Sequence, residues 1–372
     1  MQGGNLQSLR QHNRASILAM LQRSSTPLTM GDLREGTGLS RPTIESLLQD
    51  LLREGLVTDR GLRAPSHSPG GGRPPRLYAF DPTVGCLGAV VLGIDDVQVA
   101  LADLSGRLLG WRTAPLRPGE LRREIAYDLM QAMLRSYRRN ASELRALTVG
   151  IMGVHTTSGA ILRNESIPEL SDPEYFTPYR EALSCPLHLV NDAYLAALAQ
   201  YDELCADEDV HSMIGLHAST AIGCGIIVEG ELYQGHRGAA AEMGFARELG
   251  WTTADSLLRD FAKSHDISPA TVFSRAAEGA KEYASFVGDF IDAAMPGIRA
   301  LLLAFDPQIL TIGGALAATR PLIEDRVCQA LSGLPAGRPD IRYSRLREEA
   351  IITGAIRHGV RAIEGNLDPS RR

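Results

Sequence analysis

TMGDLREGTGLSRPTIESLLQDLLREGLVTDR, residues 29–60, decides the fold of the N-terminal part of this chain. Thr29 opens it as a helix cap, with Asp32 three residues on as the reciprocal acid of a capping box. Gly36-Thr37-Gly38 stops that helix; Ser40 caps a second one, and Pro42 lies in its first turn, where a missing N–H costs nothing. Ile44, Leu47, Leu48 and Leu51 then recur at the spacing of one helical face, an apolar stripe that lies on a core. The opposite face carries Arg41, Thr43, Glu45 and Ser46 near its N-terminal end. Two short helices across a Gly-containing turn are the sequence form of a helix-turn-helix, whose second helix offers its N-terminal residues to base edges. Arg41 can fork onto a guanine, while Thr43 and Ser46 can meet bases or phosphate. The alternative is a solvated helix face in a three-helix adaptor.

The following residues favour the DNA reader. Gly55-Leu56-Val57 turns into a strand, and the loop SPGGGRPPR (68–76) returns into Leu77-Tyr78-Ala79-Phe80, which makes a wing. Arg73 and Arg76, flanking prolines, suit a narrow and electronegative minor groove; a plain Gly/Pro linker is the other reading of the glycines. Residues 1–80 hold 10 Arg against 6 Asp and Glu, a net of +4; the whole chain is −6, so residues 81–372 carry −10. A basic module on an acidic body is expected where one end meets phosphate.

With 372 residues and 44% hydrophobic content, the chain can bury more than one core. No run of 18 apolar residues occurs and the N-terminus lacks a signal segment, so a cytoplasmic protein with no membrane partner is expected. Five scattered cysteines with no C-x-x-C spacing indicate neither a disulfide framework nor a cysteine-rich zinc site.

From Cys86 the pattern changes to strands: CLGAVVLG and VQVALADL, then Ser105-Gly106 turning into RLLGWRT. A similar unit, HSMIGLHA, AIGCGIIV and ELYQG, returns about 124 residues later. Each is followed by helices, expected near 118–138, 192–204, 284–304, 319–332 and 350–364, with short strands at 146–151, 187–190 and 308–312. A duplicated α/β unit with a cleft between lobes predicts an actin/hexokinase-like (ribonuclease H-like) architecture behind the winged helix-turn-helix.

Along this order the chain resembles the ROK-family transcriptional regulators, of the xylose- and N-acetylglucosamine-type repressor kind. The matching stretches are LRQHNRASIL, the winged module, GRPPRLYAFDPTVG, VGIMGVHTTSG (149–159), LVNDAYLAAL (189–198), GHRGAAAEMG (235–244), DPQILTIGGAL (306–316) and IITGAIRHG (351–359). The resemblance implies a DNA-binding domain over 1–80, a first lobe over 81–195 with the C-terminal helix 350–372 packed back on it, and a second lobe over 196–349. It further implies a sugar held by the Asn191-Asp192 pair, where family kinases use the aspartate as general base, with Glu242 and Asn164 meeting other hydroxyls. Asn191-Asp192 also reads as a simple helix cap, and Glu242 and Asn164 as surface polar residues. His155, His217 and His236 could each add a polar contact or be ordinary core or surface residues.

Departures from the family pattern are as informative. Its first phosphate loop, Asp-x-Gly-x-Thr, is Val91-Leu92-Gly93-Ile94-Asp95 here, so the leading carboxylate is lost and a repelling one gained. The second, Gly-Thr-Gly-x-Gly, is Ser219-Thr220-Ala221-Ile222-Gly223, with a Cβ where phosphate approaches the backbone. Phosphoryl transfer depends on positioning and neutralising anionic charge, so no kinase activity is expected. The family's zinc-binding His is Phe245, and RELGWTTADSLL contains no cysteine, so no metal and no cofactor are expected. Phe245 could instead stack on an apolar sugar face. These readings together predict a repressor that binds duplex operator DNA as a homodimer or tetramer, with a sugar-like effector between its lobes. An effector-independent scaffold and a sugar kinase are the rivals.

Overall fold

The computed structural model describes residues 3–62, 74–117, 119–156, 161–163, 167–205 and 208–364. The N-terminal module contains α1 (Gly3–Arg23), β1 (Leu28–Thr29), α2 (Met30–Thr37), α3 (Arg41–Arg53), β2 (Val57–Leu62) and β3 (Arg76–Phe80). Its sheet has the order β1-β3-β2, with β3 antiparallel to both neighbours. The capping box is present in both directions: the Asp32 N–H donates to Thr29 Oγ1 at 3.2 Å, and Asp32 Oδ2 accepts from the Thr29 N–H at 2.7 Å. Gly38 takes the left-handed conformation, with φ of 68°, and its N–H closes α2 on the Arg34 carbonyl. Ser40 caps α3, whose Ile44, Leu47, Leu48 and Leu51 are all buried. The wing tip, including Arg73, lies outside the described residues.

Next come β4 (Cys86–Leu92), β5 (Asp96–Asp103), β6 (Leu108–Pro115), α4 (Arg122–Ser136), β7 (Leu144–Ile151), β8 (Val154–His155), β9 (Ile161–Arg163), α5 (Thr177–Ala182) and β10 (Leu187–Asn191). After α6 (Asp192–Leu204) follow β11 (Ser212–Ala218), β12 (Ile222–Val228), β13 (Glu231–Tyr233), α7 (Trp251–Ser264), α8 (Pro269–Ala277), α9 (Lys281–Phe305), β14 (Ile309–Gly313), α10 (Arg320–Leu331), β15 (Asp340–Tyr343) and α11 (Ala350–Glu364). The two large sheets run β10-β7-β4-β5-β6 and β15-β14-β11-β12-β13. In each, three parallel strands are extended by an antiparallel meander, so one topology occurs twice. β4, central and apolar throughout, is buried at every position, as expected of a strand covered on both faces.

Two helices lie between these sheets. α11 packs on β4 and β7, α6 packs on β11 and β12, and the helices pack on each other. Small residues allow the close approach: Gly215 and Gly225 face Ala197 on α6, and a Cβ at Gly354 on α11 would run into the Leu195 carbonyl. The boundary expected from the sequence between residues 195 and 196 falls within α6. AYLAALAQ contains no helix breaker, so α6 continues unbroken across that point and serves the second sheet.

The module and first lobe share one apolar core. It joins Ile17, Leu18 and Leu21 of α1 and the α3 stripe to Leu87 and Ala89 of β4 and to Ile352, Ala355 and Ile356 of α11. Arg14 on α1 reinforces the junction, donating to the Ile363 carbonyl at 3.3 Å and to Glu54 at 2.5 Å. Among the described residues, no helix is long and apolar enough to cross a membrane.

Candidate functional site

Two surfaces carry the sequence-designated residues. On the first, α3, Arg41 and Glu45 are exposed, and Thr43 and Ser46 are half-buried. Thr43 is partly committed to the cap, with its Oγ1 at 2.8 Å from Ser40 Oγ. Ser46 accepts a hydrogen bond from Arg10 at 3.2 Å, and the same guanidinium pairs with Asp50. Arg76, at the start of β3, pairs across the hairpin with Asp59. Arg34, which sequence reasoning passed over, lines the hollow beside the helix-turn-helix turn together with Ser40 and Arg41. Its position on the exposed face of α2, within a turn of the stop glycines, was the available signal.

The second surface is a cleft of about 450 Å³ where the two lobes meet. Asn191 ends β10 and caps α6, its Oδ1 accepting the Tyr194 N–H at 3.2 Å. Its Nδ2 reaches the Gly153 carbonyl at 3.0 Å and Glu242 Oε1 at 3.3 Å, so the cap and the ligand readings of this residue are compatible. Asp192 follows on the first turn, where its Oδ1 accepts the Ala193 N–H at 2.8 Å. Tyr194 reaches across to the carbonyls of Gly238 and Ala240, anchoring the segment that presents Glu242. Ala241, just before that carboxylate, has φ of 63°, a left-handed backbone of the kind that clusters at functional sites. Burial pushes Asp192 up to about 6. Burial, with the Asp192 charge second, pushes Glu242 up to about 7.

The stretches 91–95 and 219–223 lie along the same cleft. Val91 is buried within β4 and Asp95 is exposed at the turn. In the second loop both backbone groups of Ile222 are claimed by α7: its N–H donates to Asp255 Oδ1 at 2.8 Å, and its carbonyl accepts from the Trp251 indole at 3.0 Å. Burial raises Asp255 to about 6, against the Ile222 N–H that lowers it. Gly313 and Gly314 are packing glycines, since added Cβ atoms would meet Gln200 and the Ala218 carbonyl.

Asn164 lies outside the described residues. Phe245 is 57% exposed and does not line the cleft, although Glu242, Met243 and Gly244 do. His236 is exposed and also off the cleft wall, whereas His217 on β11 is buried in it. The family's zinc does not fit this chain: Phe245 replaces a ligand, and the segment that follows is anchored by the buried Trp251. Among the described residues, no three His, Cys, Asp or Glu side chains gather as metal ligands would.

Because Glu242 is raised above its ordinary value, its neutral form is the one the fold favours. The associated stability is fully present below the unfolded carboxylate range and is lost as pH rises through about 7. Glu242→Gln should therefore match the parent chain near pH 4 and exceed it by about 1–3 kcal/mol at pH 8. Urea unfolding of both proteins across that range checks this.

A winged helix-turn-helix joined to a duplicated, kinase-like two-lobed body is the class this architecture defines. Residues 87–248 match the ROK family model and residues 11–66 the MarR family model. The chain thus contains a ROK family domain preceded by a MarR-type winged helix. It is 21% identical to the xylose repressor of Caldicellulosiruptor bescii, over 95% of this chain and 96% of that one. A solved ROK family transcriptional regulator, described as a homolog of the E. coli MLC protein, superposes with a TM-score of 0.71 at 16% identity, covering 97% of this chain and 98% of the other. The ROK hexokinase from Thermus thermophilus superposes with a TM-score of 0.55 at 24% identity, over 73% of this chain and 96% of its own.

Proposed function

We propose that this protein is a transcriptional repressor of a carbohydrate operon, with residues 1–80 reading duplex DNA. The lobes formed by 81–195 with 350–372 and by 196–349 meet at α6 and sense a sugar-like effector between them. The observation that carries this reading is α11. Ile351 in its first turn, with the preceding Arg347 and Glu348, lines the cleft. Its far end receives Arg14 of α1. A ligand that closes the lobes with differential affinity for open and closed states shifts α11, and with it the seating of α1 and α3. Arg41, Thr43, Glu45 and Ser46 meet the major groove, and Arg73 and Arg76 the minor groove and phosphates. Two copies on a palindromic site place two reading helices on successive half-sites, so a homodimer or a pair of dimers is the working form.

Phosphoryl transfer is absent from this function. Val91 removes a carboxylate that positions metal and phosphate, Asp95 adds repulsion, and the Asp255 carboxylate already holds an N–H that a phosphate oxygen would need. Selection of duplexes from a randomised library, followed by fluorescence anisotropy, tests the proposal. A palindromic preference of at least about 1,000-fold over unrelated duplex is expected, and binding to all duplexes alike would overturn it. Rapid ATP-dependent phosphorylation of any sugar by the purified chain would restore the kinase reading.

A further inference from the structure

The cleft contains more negative charge than neutral hydroxyl recognition uses. Among the described residues, six carboxylates line it: Asp95 and Asp96 from the β4–β5 turn, Asp192 on α6, Glu242, Asp255 on α7, and Glu348 before α11. Among those same residues a single basic side chain, Arg347, stands against them, and it is exposed. His217 adds no positive charge, because burial lowers it to about 4. It contributes something else. It is only 7% exposed, and its Nδ1 is buried with no hydrogen-bond partner. Its strand neighbours are Gly223 and Gly313, neither of which has a side chain to meet it. A buried polar atom left unpaired is costly, and the residue that carries it lines the cavity. The cleft floor therefore has a vacant hydrogen-bonding position within an anionic wall.

We propose, resting on the effector-sensing reading above, that the cleft is built for an amine-bearing polyol, such as an amino sugar, and excludes phosphate esters. Asp192 and Glu242 receive the ammonium group between them, the remaining hydroxyls pair with Asn191 and His217, and the Asp255 carboxylate closes the former phosphate end. In the empty cleft, burial, and for Glu242 the Asp192 charge as a second cause, favours retention of a proton by Asp192 and Glu242. The incoming ammonium replaces that proton, which leaves to solvent; charge balances as one cation enters and one proton departs.

Isothermal titration calorimetry on the full chain tests this with sugars that differ at one carbon: glucose, 6-amino-6-deoxyglucose and glucose 6-phosphate, with 2-amino-2-deoxyglucose as a positional control. At least one amino sugar should bind at least tenfold more tightly than glucose, and the phosphate ester at least tenfold more weakly. Runs at pH 6.5 in two buffers of different ionisation enthalpy should report release of about one proton per amino sugar bound. Glu242→Gln should reduce both the preference and the proton release, and the buffer comparison on the parent chain is a second readout that needs no variant. Glucose binding as tightly as both amino sugars, tighter binding of the phosphate ester, amine binding without proton release, or no binding by any of the four overturns the proposal. The repressor reading is judged separately, by whether the same preparation selects an operator duplex.

Discussion

Trp251→Ala should lower the unfolding free energy by about 3–5 kcal/mol, the cost typical of emptying a large aromatic site. Trp251 is only 2% exposed and lies so close to α9 that a Cβ on Gly297 would come within 2.7 Å of its ring. The loss reaches beyond packing, because the indole N–H also holds the Ile222 carbonyl. Trp251→Phe separates the two contributions. It keeps most of the buried area and leaves that carbonyl unpaired, so about 1–3 kcal/mol of the loss should remain. Urea titrations monitored by circular dichroism measure both variants. A cost below about 1 kcal/mol for the alanine variant would mean that α7 is not anchored through this residue.

Arg41→Ala should leave stability within about 0.5 kcal/mol of the parent chain, since its side chain is exposed on the first turn of α3. Its effect is on selectivity. Discrimination at one base pair per half-site should fall by about 1–3 kcal/mol, while affinity for unrelated duplex changes little. Competition binding against operators altered one position at a time gives the result. Uniform weakening across all sequences would reassign Arg41 to phosphate contact and leave base reading to Thr43 and Glu45.

The winged module was legible because its signals are local: a capping pair, a stop glycine and a helical apolar stripe each act within a few residues. The duplicated sheets were legible as repeated strand–turn–strand units. Helices α7 and α8 were not, although Ser268 before Pro269 is an ordinary cap and accepts the Thr271 N–H. Helix α7 starts after Gly250 with no side-chain cap, so the apolar spacing of Trp251, Ala254, Leu258 and Ala262 is its main local signal. The cleft pair Asn191-Asp192 could be placed from its motif, but the bond from Asn191 to Glu242 joins residues 51 apart and has no local signature. The capture of Ile222 by Asp255 is likewise a tertiary event, and it changes what the second loop can bind. Phe245 illustrates the converse: an aromatic side chain in a ligand-bearing motif suggested stacking, but one turn of 3-10 helix at Met243–Phe245 carries it off the cleft wall.

The position of α11 has a consequence for how the protein is made. Residues 350–364 fill one face of a sheet whose strands end at residue 191, so the ribosome delivers the sheet long before the helix that covers it. At about 5–20 residues per second, the interval is roughly 8–30 s. During that interval the apolar faces of β4 and β7 and the inner side of α1 lack their final partner. A nascent chain therefore cannot assemble the junction between its reading head and its body until residues 350–364 have emerged, which ties the acquisition of DNA-binding geometry to the synthesis of α11.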